Sequence, residues 1–125
     1  MISFDGFTTV EGIPIYQQIV LFIERGCLAG TIRNGDELPS RRYLSALLGI
    51  NPMTVQKAFG ILEQQKLIIS STGSRSTVSF TDERIRQLRE ELLVQDIRMA
   101  VSALKQAGLT KDEAVELIGR YWEED

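Results

Sequence analysis

The chain has 125 residues, of which 43% are hydrophobic and 25% charged, a balance typical of a folded chain with room for one domain and an appendage. It contains no histidine and one cysteine, which excludes a Ser-His-Asp site, a zinc site and an intrachain disulfide, so we expect neither a metal nor a cofactor. The formal net charge of −3 is uneven, because residues 1–80 carry +1 and residues 81–125 carry −4. This asymmetry indicates a mildly basic working region followed by an acidic one.

The first residues and the single cysteine bear on location and redox chemistry. Met1–Asp5 has neither the basic nor the apolar region of a secretory signal, and no apolar run approaches the roughly 20 residues that span a membrane. We therefore expect a cytoplasmic protein that does not enter a membrane. Cys27 is expected to be a small buried hydrophobe, since a redox sensor, the alternative, would lack a second cysteine to resolve an oxidised thiol.

The first predicted element is a helix that follows a weakly patterned, extended segment over Met1–Gly12. Pro14 suits the first position of a helix, and Gly30 suits the cap at its end. Between them, apolar residues recur at helical spacing, namely Ile15, Ile19, Phe22 and Ile23. The sequence therefore predicts a helix over about Pro14–Ala29, in which Gly26 is a mild defect.

Two short helices joined by a tight turn come next. Ser40 can cap the first, which stops at Gly49, while Asn51 and Pro52 form the start of the second. We expect the apolar side chains of both helices to face inward, namely Tyr43, Leu44, Leu47, Leu48, Val55, Ala58, Phe59 and Leu62. This is the outline of a helix-turn-helix, whose second helix lies in the major groove of DNA.

The following segment has the pattern of a small β-hairpin. Leu67–Ile69 and Thr77–Phe80 are strand-like and flank a polar tip at Thr72–Arg75. Three helices followed by a hairpin describe a winged helix-turn-helix. We therefore predict a mainly α fold with a small β-hairpin (α+β), and a DNA-binding domain over residues 1–80.

Residues 81–125 predict a hairpin of two amphipathic helices. The first, Asp82–Ala107, is about 39 Å long at 1.5 Å per residue, and the second begins at a capping box formed by Thr110 and Glu113. One short hairpin cannot hide two apolar seams, which favours a dimer interface over a core within one chain. The predicted interface consists of Ile85, Leu88, Leu92, Ile97, Val101, Leu104, Leu117, Ile118, Tyr121 and Trp122. For Tyr121 and Trp122 the alternative is a pocket for a small-molecule effector.

Three segments in this order and spacing carry a family resemblance: PIYQQI at 14–19, GDELPSRRYLSALLGINPMTVQKAF at 35–59 and LEQQKLI at 62–68. They resemble the DNA-binding domain of the GntR family of bacterial transcription regulators, over about residues 10–80. The short remainder resembles the YtrA-type subfamily, in which two C-terminal helices serve for dimerisation and which is often associated with ABC-transporter operons. The resemblance implies double-stranded DNA and a second copy of the chain as partners.

The resemblance also implies where DNA contacts lie. Arg42 matches the arginine of the family's LPSxR segment and is expected at a phosphate or base edge, with Arg41 as a helper; a solvated helix face is the alternative for both. The recognition helix is expected to contribute Asn51, Met53, Thr54, Gln56 and Lys57. The predicted wing contacts are Gly73, Ser74 and Arg75.

Within the recognition helix, Gln56 and Lys57 are the residues that we expect to read bases. For the others a structural role stays open, since Asn51 can act only as a cap, Thr54 only as turn support and Met53 as an exposed side chain. Many family members have arginine where Gln56 stands, so the base preference of relatives does not transfer.

The sequence thus predicts a homodimeric DNA-binding transcription regulator, most simply a repressor acting on a pseudo-palindromic operator, with an activator left open. The alternative is a winged helix used for protein–protein contact. An enzyme is disfavoured, because the chain lacks histidine, paired catalytic carboxylates and a glycine-rich phosphate loop.

Overall fold

The computed structural model describes residues 1–71 and 75–124 of the chain. Within these residues the elements are α1 (Ile15–Ala29), α2 (Arg41–Leu48), α3 (Pro52–Gln64), β1 (Ile68–Ser70), β2 (Ser76–Val78), α4 (Asp82–Gln106) and α5 (Lys111–Tyr121). The predicted winged helix-turn-helix with a helical C-terminal part is therefore confirmed. The chain divides into two compact units, Met1–Leu88 and the residues from Arg89 onward. In the described part of the chain, no helix is long and apolar enough to cross a membrane.

Helix α1 supplies one wall of the core of the N-terminal unit. Ile19 and Ile23 are fully buried, and Cys27 is buried one turn further on, as predicted. Burial raises the pKa of the Cys27 thiol to about 11. Gly26 is a packing position rather than a defect, because a Cβ there would lie 2.7 Å from Cγ1 of the buried Ile32.

The N-terminal segment is packed against α1. Ile2 and Phe4 are buried, and the Phe4 and Phe22 rings stack with centroids 4.9 Å apart. The side chain of Gln18 holds the segment at Val10, accepting a hydrogen bond from its N–H (2.9 Å) and donating one to its carbonyl (3.0 Å). The sequence pattern predicted only an extended segment here and missed this anchoring.

The turn between α2 and α3 is fixed by side-chain hydrogen bonds. Ser40 Oγ accepts from the Tyr43 N–H at 3.1 Å, and Asn51 Oδ1 accepts from the Met53 N–H at 2.8 Å, which confirms both predicted caps. Gly49 takes the left-handed conformation with φ of 66°, as the cap of α2. The buried Ser45 hydroxyl closes the turn by donating to the Ile50 carbonyl at 2.6 Å. These bonds set the direction in which α3 leaves the turn.

The predicted inward set of the two helices is partly wrong. Leu44, Val55, Ala58, Phe59 and Leu62 are fully buried, as expected. Tyr43 and Leu47, however, are 52% and 54% exposed. Because α2 has only two turns and packs through Leu44 and Ser45, the neighbouring stripe that carries Tyr43 and Leu47 remains outside the core.

The wing is a two-stranded antiparallel sheet supported by a third segment. Ile68 pairs with Val78 and Ser70 with Ser76, so both strands are offset slightly from the predicted ranges. The segment 36–38 runs along β2, where the Leu38 N–H donates to the Ser76 carbonyl at 3.0 Å and the Val78 N–H donates to the Asp36 carbonyl at 2.8 Å. This pairing ties the wing to the chain that precedes α2.

In the C-terminal unit, α5 begins at the predicted capping box. Thr110 Oγ1 accepts from the Glu113 N–H at 3.2 Å, and the Glu113 carboxylate accepts from the Thr110 N–H at 2.9 Å. The hydrogen bonds from the Thr110 backbone and side chain hold the pKa of the Glu113 carboxyl below its usual range.

Candidate nucleic-acid interface

Helix α3 has one buried face and one exposed face. Val55, Phe59 and Leu62 fill the core on the buried side. Met53, Gln56 and Lys57 are exposed, and their i, i+3, i+4 spacing places all three on the opposite face. The exposed face therefore presents an apolar, an amide and a cationic side chain together, which are chemically suited to base edges and phosphates.

The start of α3 carries the other two residues predicted on the recognition helix. Asn51 is exposed and acts as the N-cap, so its structural role is established and its contact with DNA stays a prediction. Thr54 is half-buried, and its N–H donates to the Asn51 carbonyl at 2.9 Å.

Lys57 has a neighbour that the sequence analysis did not identify. Its ammonium nitrogen lies 4.1 Å from the centroid of the Tyr16 ring at the start of α1, within the range of a cation–π interaction. The contact fixes the direction of a long flexible side chain. A tyrosine two residues after Pro14 offers no local signal for it, because Tyr16 and Lys57 are brought together only by the packing of α1 on α3.

The two adjacent arginines of α2 have different surroundings. Arg42 is exposed and has no hydrogen bond or ion pair to the residues that the structure describes, which leaves it available to a phosphate. The Arg41 side chain is only 21% exposed and lies over the Phe59 ring, with its Nη2 3.8 Å from a Glu63 carboxylate oxygen. Its guanidinium is thus engaged within the domain, and the contact of Arg41 with DNA stays a prediction.

At the wing, Arg75 is strongly exposed and pairs with Glu37 at 3.6 Å. Ion pairs of this exposure are weak, so a phosphate can compete for the guanidinium. Gly73 and Ser74, the other two predicted wing contacts, lie outside the described residues.

Comparisons with known proteins agree with this arrangement. The family described as bacterial regulatory proteins, gntR family, matches residues 15–78, which include the helix-turn-helix and both strands of the wing. The chain belongs to the GntR family. Members are DNA-binding transcription regulators, so the chain is a regulator of this kind and not an enzyme.

Individual relatives refine the similarity. The transcriptional repressor YtrA of Bacillus subtilis is 39% identical over 66 residues, which cover 53% of this chain and 51% of that protein. A GntR-family transcriptional regulator from Listeria monocytogenes has a similar structure, with a TM-score of 0.79 and 29% identity over 90% of this chain and 98% of that one. YtrA of Sulfolobus acidocaldarius, a GntR-family transcription factor, matches with a TM-score of 0.55 and 30% identity over 94% and 97% of the two chains. The chain is thus a YtrA-like GntR regulator.

Proposed function

We propose that this GntR-family chain is a homodimeric repressor that binds a pseudo-palindromic operator. The DNA-reading part of the proposal rests on the exposed face of α3, where Met53, Gln56 and Lys57 lie together, and on the exposure of Arg42 on α2. In this proposal Gln56 and Lys57 read bases, whereas Arg42 and Arg75 hold the phosphate backbone. The similarity to the repressor YtrA of Bacillus subtilis supports repression rather than activation.

Exposed apolar side chains in the C-terminal unit support the homodimer. Ile97 and Val101 on α4 are exposed, and Ile118, Tyr121 and Trp122 at the end of the chain are exposed as well. Leu104 and Leu117 are half-buried beside them in sequence. Several large apolar side chains exposed within one short unit favour a protein interface, and aromatic residues are frequent at interface centres.

Three members of the predicted interface need separate treatment. Leu88 is 1% exposed within the N-terminal unit and has no surface left for a partner, so the proposed interface excludes it. Leu92 is also buried within the single chain, and Ile85 is half-buried. The proposal therefore rests on the residues from Ile97 onward.

A homodimer would place two recognition helices on one duplex. Their half-sites would be about 34–36 Å apart or a multiple of that distance, because successive major grooves on one side of DNA have this spacing. Repression would then be steric, because the bound dimer would occupy a promoter. If the chain follows the YtrA-type pattern, that promoter belongs to a transporter operon. No effector is required for this mechanism, and a small molecule would act by changing the dimer.

The proposal is tested by titrating the protein against a labelled duplex from upstream of its own gene and against a scrambled duplex, at several salt concentrations. We expect tighter binding to the native duplex, with an affinity that falls steeply as salt rises. Arg42→Ala should weaken binding to both duplexes and reduce the salt slope by about one phosphate contact. Gln56→Ala should cost about 1–3 kcal/mol on the native duplex only.

The homodimer is tested separately by sedimentation of Ile97→Glu beside the control Gln95→Glu. Both substitutions add one negative charge to an exposed position of α4, but only the first removes an apolar side chain from the proposed interface. Dissociation of Ile97→Glu alone supports the proposal. An unchanged mass for both variants, or a monomeric parent protein, contradicts it.

A second candidate function is contact of the winged helix with another protein in addition to DNA. The exposed Tyr43 and Leu47 on α2 favour it, because they add apolar surface to the DNA-binding domain.

A further inference from the structure

The guanidinium of Arg41 is held by three neighbours from two elements. Its Nη2 lies 3.4 Å from Ser70 Oγ in β1 and 3.8 Å from Glu63 Oε1 in the last turn of α3. Its Cζ lies 5.3 Å from the centroid of the Phe59 ring. A guanidinium group is planar and permanently charged, so it can stack on an aromatic ring and donate hydrogen bonds to two oxygens at once.

The hydrogen bonds continue from Arg41 into the wing. Ser70 Oγ also donates to the Glu63 carboxylate, and it lies 3.3 Å from Ser76 Oγ in β2. Ser76 is almost completely buried. The four side chains therefore connect the start of α2, the end of α3 and both strands of the wing, and we call them the wing network (Arg41, Glu63, Ser70 and Ser76).

Arg41 is less accessible than the arginine that follows it. Its Nε is buried and finds no hydrogen-bond partner among residues 1–71 and 75–124. The neighbouring Arg42 is exposed and not engaged by those residues. Two consecutive arginines thus differ in accessibility, since Arg42 is exposed whereas the Arg41 side chain is 21% exposed and engaged within the domain.

We propose that Arg41 is a positioning residue that sets the wing relative to the recognition helix, with Glu63 as its partner. Arg41 neutralises a carboxylate that would otherwise repel DNA, and through Ser70 it holds β1 against α3. The wing residue Arg75 then meets the backbone while Gln56 and Lys57 occupy the groove. The inference rests on the proposed DNA binding and adds a residue that acts through the wing rather than on DNA.

Thermodynamic coupling to the wing tests this role. Affinity for the native duplex is measured by fluorescence anisotropy for Arg41→Ala, Arg75→Ala and the double variant, with Arg42→Ala and its double variant with Arg75→Ala as the matched control. We expect Arg41→Ala to weaken binding about fivefold in the parent protein and to have little further effect once Arg75 is absent. Arg42→Ala should weaken binding by the same factor in both backgrounds. A loss of affinity caused only by lower stability would not depend on Arg75.

Removing the partner carboxylate gives a test of opposite sign. Deletion of a negative charge from a DNA-binding domain ordinarily strengthens binding, because repulsion of phosphate is reduced. If Glu63 positions the wing together with Arg41, Glu63→Ala instead weakens DNA binding. Adding Arg41→Ala to this variant then lowers the affinity little further. Glu63 is partly exposed, so this variant remains usable if Arg41→Ala fails to fold.

A readout without DNA separates failure of this inference from failure of the proposed function. Amide hydrogen exchange of β1 and β2 in the free protein should become faster in Arg41→Ala and stay unchanged in Arg42→Ala. Faster exchange with no duplex binding by the parent protein would leave the network intact and overturn its role in DNA recognition. Unchanged exchange, or an Arg41→Ala effect that is additive with Arg75→Ala, would overturn the inference while DNA binding stands.

Discussion

Lys66 provides the sharpest test of how the recognition helix connects to the wing. It has a φ of 61°, the one non-glycine residue with positive φ in the described parts of the chain. It follows the C-cap of α3, where the Leu67 N–H donates to the Leu62 carbonyl and the Lys66 N–H donates to the Glu63 carbonyl, both at 3.0 Å. These two bonds form a Schellman motif, in which the left-handed position is most often glycine.

The effect of Lys66→Gly follows from this conformation. A side chain in the left-handed region costs roughly 1–2 kcal/mol, and glycine escapes this cost because it has no Cβ. Glycine also loses more backbone entropy on folding, which offsets about 0.5–1 kcal/mol. We therefore expect a net stabilisation of about 0.5–1 kcal/mol, or a rise in Tm of about 2–4 °C for a chain of this size.

The assay is thermal and urea unfolding of the parent protein, Lys66→Gly and Lys66→Ala. The alanine variant is the matched control, because it removes the same charge and side chain while it keeps the Cβ that causes the strain. Lys66→Gly should melt above the parent protein, and Lys66→Ala at or below it. If the glycine variant were no more stable than the alanine variant, the attribution of strain to this φ would be refuted.

Three other predictions concern the interior of the N-terminal unit. Ser45→Ala removes the hydroxyl that donates to the Ile50 carbonyl, so we expect a loss of about 1–2 kcal/mol in urea unfolding and weaker duplex binding, whereas an unchanged midpoint would contradict the role of Ser45 in the turn. Gly26→Ala should gain about 1 kcal/mol of stability from helix propensity but lose about 1–3 kcal/mol because its Cβ overlaps Ile32. We therefore expect an unchanged or lowered Tm, and a raised Tm would show that Ile32 repacks freely. Folding raises the pKa of the Cys27 thiol from 9.0 to about 11, so the neutral thiol stabilises the folded protein below pH 9. This stability is lost as pH rises toward 11. The free energy of unfolding of the parent protein should therefore fall more steeply from pH 9 to pH 11 than that of Cys27→Ala. Equal slopes for these two proteins would rule out Cys27 as the source.

The elements that local chemistry determines were predictable from the sequence. Ser40, Asn51 and Thr110 each cap a helix through a hydrogen bond to a residue two or three positions further on, so the signal and its partner are close in sequence. Gly30 and Gly49 end helices in the left-handed conformation for the same local reason. The order of helices and the hairpin follow from these signals.

Contacts between distant segments were not predictable in the same way. Ile2 and Phe4 alternate with polar residues, but only the packing of the first segment on α1 makes them part of the core. Tyr43 and Leu47 follow the helical pattern and are nevertheless exposed, because an eight-residue helix buries a single narrow stripe. Periodicity identifies the helix, whereas its rotation depends on the partner it packs against.

Contacts between distant segments also change how much of the basic charge of the DNA-binding unit is available to DNA. Arg41 is paired with Glu63, Arg75 with Glu37, and the Lys57 ammonium lies over Tyr16. Only some of the positive charge counted from the sequence is therefore available to phosphates without rearrangement, and Arg42 is the clearest case. Since each phosphate contact contributes roughly 0.9 to the salt slope, we expect a slope smaller than the number of basic residues suggests. Specificity would then depend more on Gln56 and Met53 in the groove, which carry no charge and whose contacts salt does not screen.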